Sequence, residues 1–365
     1  MLGCSRGKPD VVNDSVVNAL QGPFAYNRRM ISTLATWYIV LGGIGGGALF
    51  WACALDLPRS ERRFVRVTVR GVNAAACALL VVGTVFLGAD VGRLDRVLRL
   101  FFHPTASYIA IGAWALVIAI LLALVLAALR GRQNRGFDIP DVIIRVLDAI
   151  GILVALFIAV YTGLLLRTMV GVALWRSLLI PALFAASSLS AGTAIVVTVS
   201  SVADPESPFS PPISRVLAAD FAIVILEILL ASALLAWTLT VDNSSMEAIR
   251  ALLFAFDNPV AMLWWAGFVG CGVALPLTLD VAAFMAAVRE RARTPKPIRG
   301  ANPLFTPPRR HTARTALVLV AAAAVLAGAF CLRFAVVDAG HQRNLEMTDA
   351  PATFPAATNS VEWSQ

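Results

Sequence analysis

GILVALFIAVYTGLLLRTMVGVALWRSLLIPALFAASSLSAGTAIVVTVS, from Gly151 to Ser200, holds two long apolar runs around a short polar break with Arg167 and Arg176. A helix needs about 20 apolar residues to cross a bilayer, and each run reaches that length. Tyr161-Thr162-Gly163 forms a polar cluster in the first run near one membrane face. Ser187-Ser188-Leu189-Ser190-Ala191-Gly192 gives the second run a strip of small residues, against which another helix can lie closely. Polar groups at helix ends and along one seam describe a membrane protein with a site near one surface.

The rest of the sequence has the same character. Its 365 residues are 59% hydrophobic and 14% charged, whereas soluble domains average about 45–50% and about 25%. The net charge of +8 would suggest a nucleic-acid partner in a soluble protein. Here the basic residues stand in loops between apolar runs, where membrane topology accounts for them, so no nucleic acid is expected. Cys4, Cys53, Cys77, Cys271 and Cys331 show no CxxC or CxxxC spacing, which argues against zinc or iron–sulfur ligation by this protein. His103, His311 and His341 are read as lying outside the apolar runs, so haem held between helices is not expected either. Residues 1–30 are polar, and no cleavable signal peptide is visible ahead of the first apolar run near Ile31.

Eight spans follow, at about 31–55, 65–89, 105–129, 142–166, 175–201, 216–241, 259–288 and 313–337. An even number places both termini on one side of the membrane. Lys and Arg are denser on the other side, above all over 289–314, while Arg333 and Arg343 count with the terminus-facing side. The basic side faces the cytoplasm, so both termini are expected to be extracytoplasmic in a multi-pass protein of the cell inner membrane. Gly42-Gly43-Ile44-Gly45-Gly46-Gly47 matches the 187–192 strip in character at an offset of 145 residues, and Arg70 matches Arg215. This repeat predicts an all-α integral membrane fold of eight transmembrane helices as two four-helix bundles. The expected order is an extracytoplasmic segment over 1–30, a first helix group over 31–129, remaining helices over 142–337 with the second half from about 175, and an extracytoplasmic tail over 338–365.

Several segments together resemble the NrfD family, the polysulfide-reductase-type membrane subunits. They are Tyr38 to Gly47; Asp90-Val91-Gly92-Arg93 with Arg96, His103-Pro104-Thr105-Ala106-Ser107 and Gly112-Ala113-Trp114; Tyr161-Thr162-Gly163 through Leu166 with Trp175 and Pro181 to Phe184; Asp220 with Glu227; and Arg333 through Gly340-His341. Leu94 replaces a usual Pro, and His341 a usual Gln. The resemblance implies a subunit that exchanges electrons with a quinone, menaquinone or ubiquinone, and carries no haem, metal or iron–sulfur cluster of its own. It also implies a ferredoxin-type iron–sulfur partner and, through it, a catalytic subunit that often carries molybdopterin.

Quinone chemistry moves two electrons and two protons, so the protein must hydrogen-bond the carbonyls and supply a proton path. Tyr38, Tyr161 and His103 are the quinone-binding candidates, and Asp90 could take a proton. The plainer readings are interfacial anchoring for the tyrosines and His103, and an ion pair or helix cap for Asp90. Glu227 has no charge within six residues on either side. A mid-bilayer carboxylate costs at least about 2.5–3.5 kcal/mol, so Glu227 should face the interior, as a proton relay or as a structural hydrogen bond between helices. Asp220, two turns away, could start that relay. Asp280 and Asp56 are weaker candidates, Arg28 and Arg29 read as lipid or partner contacts, and Trp264-Trp265 reads as an interface anchor. A secondary transporter is the alternative function. It shares the even span number, the repeat and buried Glu227, with Pro181 and Pro276 as places to break a helix.

Overall fold

The computed structural model describes residues 31–58, 63–92, 108–133, 139–169, 172, 174–203, 211–238, 240, 243–254, 259–278 and 311–341. Among them every regular element is helical. Lipid offers no partner to a backbone N–H or C=O, so a spanning segment must satisfy these groups within itself. The helices are α1 (Thr33–Asp56), α2 (Arg63–Val91), α3 (Tyr108–Gln133), α4 (Asp141–Arg167), α5 (Leu179–Ala203), α6 (Pro211–Thr238) and α7 (Asn243–Phe254). Then α8 opens as an α turn at Pro259–Met262, winds as a π-helix over Leu263–Ala274 and returns to α over 275–278. The last is α9 (His311–His341). All but α7 are long and apolar enough to cross a membrane, which gives the eight expected spans.

The first helix is the axle of the fold. It packs against α2, α4 and α5, and 78% of its most apolar window is buried. Contacts α1–α2, α2–α3, α3–α4 and α4–α1 close the first four helices into a ring. From there α5 leads on to α6 and α9, and α9 packs on α8. Because α5 also touches α1, α2 and α4, the division into two separate four-helix bundles stands as a proposal.

The two small-residue strips, expected to be equivalents in a repeat, lie against each other. A Cβ on Gly47 would fall 1.8 Å from the Ser188 carbonyl oxygen, and one on Gly192 would fall 2.3 Å from the Gly47 carbonyl carbon. Across this seam the Trp51 indole Nε1 donates to the Leu189 carbonyl at 2.9 Å. Glycine is required here because only a missing side chain lets two backbones approach this closely.

Three expectations change. A helix, α7, stands in what read as a plain connection after 241. Its 12 residues are too few to span, and it packs on α9 and α8. Trp264 is no interface anchor: it is buried in the core, with its ring 5.0 Å from that of Phe268. Only Trp265 is exposed, and its Nε1 donates to the Leu253 carbonyl at the end of α7. Finally, α9 runs on to His341, past the expected tail boundary, because Val336, Val337 and Ala339 continue to bury their side chains.

Candidate functional site

The start of α1, the end of α2, the start of α3, the end of α4 and the end of α9 meet on one face. Tyr38 lies in the second turn of α1, 1% exposed. Its phenol hydroxyl has no hydrogen-bond partner among the described residues. Tyr161 is a near neighbour, within electrostatic reach of the Tyr38 oxygen. Its hydroxyl is already committed, donating to the Tyr108 carbonyl at 3.0 Å. Gly112 makes room for it, since a Cβ there would come within 1.9 Å of the Tyr161 ring. A buried hydroxyl without a partner costs about 1–3 kcal/mol, so Tyr38 is a donor waiting for an acceptor.

Asp90 lies at the end of α2 and is exposed. Its carboxylate accepts a hydrogen bond from the Ser32 hydroxyl, and Ser32 caps α1 by accepting from the Ala35 N–H at 3.0 Å. On this face the structure therefore brings Tyr38 and Tyr161 together and ties Asp90 to the α1 cap. His103, Asp280, Arg28 and Arg29 lie outside the described residues.

Glu227 does face the protein interior, 4% exposed, and its Oε1 has no hydrogen-bond partner among the described residues. It lines a cavity with Ser187, Ser190, Phe268, Gly272 and Gly328. The space has room for about one water molecule, far less than a quinone ring needs. Close approach of α8 and α9 frames it: a Cβ on Gly328 would lie 2.1 Å from the Gly272 Cα. Asp220 is buried seven residues earlier on α6, which puts it on the same helix face. Both Asp220 and Arg333 act electrostatically on Glu227.

Arg333 corrects the sequence reading. Counted there among the loop cations, it is fully buried inside the bundle. Its guanidinium donates to Ser188 Oγ at 2.7 Å, Ala329 O at 2.8 Å, and Ser187 Oγ and Phe184 O at 3.2 Å each. Gly43 clears its way, since a Cβ there would sit 2.6 Å from a guanidinium nitrogen. The serine strip that reads as mere packing surface is thus also the Arg333 socket. The signal for this was the apolar run itself: 316–341 carries only Arg333 and Asp338 as acidic or basic residues besides terminal His341.

A second buried charge was missed at the opposite face. Arg130, one residue beyond the end of the expected 105–129 span, joins α1, α3 and α4. Its Nε donates to Asp56 Oδ2 at 2.9 Å and its Nη2 to Asp148 Oδ1 at 2.5 Å. All three side chains are buried. Asp148 was not singled out from the sequence, and Asp56 only weakly.

Among the described residues no three His, Cys, Asp or Glu side chains are grouped to hold a metal ion. Eight helices long and apolar enough to cross a bilayer, with polar groups near both faces and along one internal seam, describe an integral, multi-pass membrane protein. The family model described as polysulphide reductase, NrfD, matches residues 22–293. The C subunit of polysulfide reductase from Wolinella succinogenes is 26% identical over 316 residues, covering 83% of the present sequence and 92% of that protein. The protein belongs to the NrfD family, and with it to the membrane subunits of respiratory oxidoreductases.

Proposed function

We propose that the protein exchanges electrons and protons between a membrane quinone or quinol and an iron–sulfur partner subunit docked on the face of Tyr38. The observation that carries this reading is the buried, partnerless Tyr38 hydroxyl beside Tyr161. A quinone carbonyl is an acceptor of the kind that hydroxyl lacks. The quinone supplies the two-electron, two-proton couple. Tyr38 holds one oxygen, Tyr161 stiffens the wall, and Asp90 takes protons at the surface.

The interior side chains supply a second proton route. Gly43, five residues beyond Tyr38 on α1, lies against the Arg333 guanidinium. Beyond Arg333 come Glu227 with its water-sized cavity, then Asp220 towards the start of α6. Arg333 supplies a fixed positive charge next to the carboxylate that would pass the proton. The cavity is too small for a transporter's substrate, and family membership also favours the oxidoreductase reading. The electron acceptor or donor is an external cluster, and the substrate is set by a further catalytic subunit, often one with molybdopterin.

The test is a mild-detergent pull-down of the full-length protein with iron and molybdenum analysis, followed by quinone-analogue binding to the complex. Co-purifying iron at many atoms per complex, with binding weakened about tenfold in Tyr38→Phe, is the expected result. A folded protein that purifies alone and binds no quinone analogue overturns it.

A further inference from the structure

The end of α9 and the start of α1 are joined by a hydrogen bond whose acceptor can titrate. The Ile31 backbone N–H donates to His341 Nε2 at 3.3 Å, across 310 positions of sequence. Accepting there requires Nε2 to carry no hydrogen, so the neutral ring holds its proton on Nδ1. Trp175 sets the ring's orientation, edge to face, with centroids 5.6 Å apart. The indole is itself pinned, its Nε1 donating to the Val336 carbonyl at 3.1 Å. Gly340 lets it in, since a Cβ there would lie 2.4 Å from the indole. Residues 31 and 32 are therefore held from two sides, by His341 of α9 and by Asp90 of α2. Tyr38 lies six residues on from Ser32, about 9 Å down the helix.

We propose that His341 is a proton-operated latch. With a neutral imidazole the backbone at Ile31 is held against α9, and with an imidazolium it is released. An imidazolium bears N–H at both nitrogens, so Nε2 would confront the Ile31 N–H donor to donor. The Ser32–Asp90 tie has no such requirement, because a carboxyl oxygen accepts in either state. The α1 cap therefore stays while Ile31 lets go. Among the described residues, the other charged groups at this end of the elements meeting here are Asp90, engaged by Ser32; Arg167, exposed in the last turn of α4; Arg176, exposed beside Trp175; Asp338, one turn earlier on α9; and Arg333, bound into α5. The latch stands on this geometry alone. Its consequence for ligand access to Tyr38 rests on the quinone reading.

The experiment is residue-resolved hydrogen exchange of the full-length protein in detergent at about pH 8 and about pH 5.5, the window in which histidine changes charge. Rates are corrected for intrinsic exchange. The Ile31 amide should exchange about tenfold faster at the lower pH. His341→Gln, whose side-chain carbonyl accepts at every pH, should protect it at both. An unchanged Ile31 rate in the natural protein, or the same pH response in His341→Gln, overturns the latch. If His341→Gln does not fold, the natural protein with 15N-labelled histidine carries the test: His341 Nε2 must gain its proton over the pH interval in which Ile31 exchange accelerates, and transitions that do not coincide overturn it. Quinone-analogue binding is measured in parallel. A latch response without binding at either pH sinks the quinone reading and leaves the latch standing.

Discussion

Gly47 of α1 and Gly192 of α5 touch backbone to backbone, and neither position has room for a Cβ. Overpacking a tight contact costs about 1–3 kcal/mol. Gly47→Ala should therefore lower the thermal midpoint of the detergent-solubilised protein by several degrees. Gly88→Ala is the control. Nothing lies within 4 Å of a Cβ there, so its midpoint should hold or rise.

The two tyrosines should separate cleanly. Tyr161→Phe removes a hydroxyl that bonds the Tyr108 carbonyl, and should cost about 1 kcal/mol of stability. Tyr38→Phe removes a hydroxyl with no protein partner, so stability should be unchanged or improved. Quinone-analogue affinity should fall about tenfold in Tyr38→Phe, as expected for one lost hydrogen bond. Thermal scans and ligand titration of both variants in one preparation read this out. Equal effects on stability would refute the assignment.

Arg333 and Glu227 should also part by readout. Arg333→Ala leaves Glu227, two serines and two carbonyls facing a void, and should cost about 3–5 kcal/mol. Arg333→Lys should recover only part of this, since an ammonium cannot reproduce the forked donors. Glu227→Gln keeps the shape and should leave the thermal midpoint within about 2 °C. Proton-coupled quinol turnover of the assembled complex should nevertheless fall at least about tenfold in that variant.

At the opposite face, Arg130→Ala should destabilise more than Asp56→Asn. The first leaves two buried carboxyl groups without their shared cation, at about 3–5 kcal/mol, while the second leaves Arg130 bonded to Asp148. Denaturant-dependent loss of helix signal in detergent would rank them. An Arg130→Ala variant as stable as the natural protein would mean that the cluster contributes nothing to holding α1, α3 and α4.

Lipid makes part of this fold easy to read. An apolar run of the right length has one stable outcome, so the eight spans, the inward-facing Glu227 and the closely packed glycine strips were all legible. Three kinds of feature were not. Arg333 and Arg130 sit near span ends, where a cation is read as facing the loops, and nothing in the letter shows that the side chain turns inward. The amphipathic α7 is too short to register as a span, and the π-winding of α8 leaves no periodic mark in a segment that is apolar throughout. The difference between Tyr38 and Tyr161 depends on a backbone carbonyl at Tyr108, and a carbonyl has no letter in the sequence.

The burial of α1 also bears on how the protein is made. By composition it is the least apolar of the eight spans, yet it is the most enclosed. It leaves the ribosome first, while the glycine face it must meet on α5 is synthesised about 7–30 s later at ordinary elongation rates. During that wait a strip of bare backbone faces lipid or a holding partner in the insertion machinery. Biogenesis of this subunit should thus be limited by the arrival of its fifth helix, and truncations ending before Leu179 should be cleared by membrane quality control.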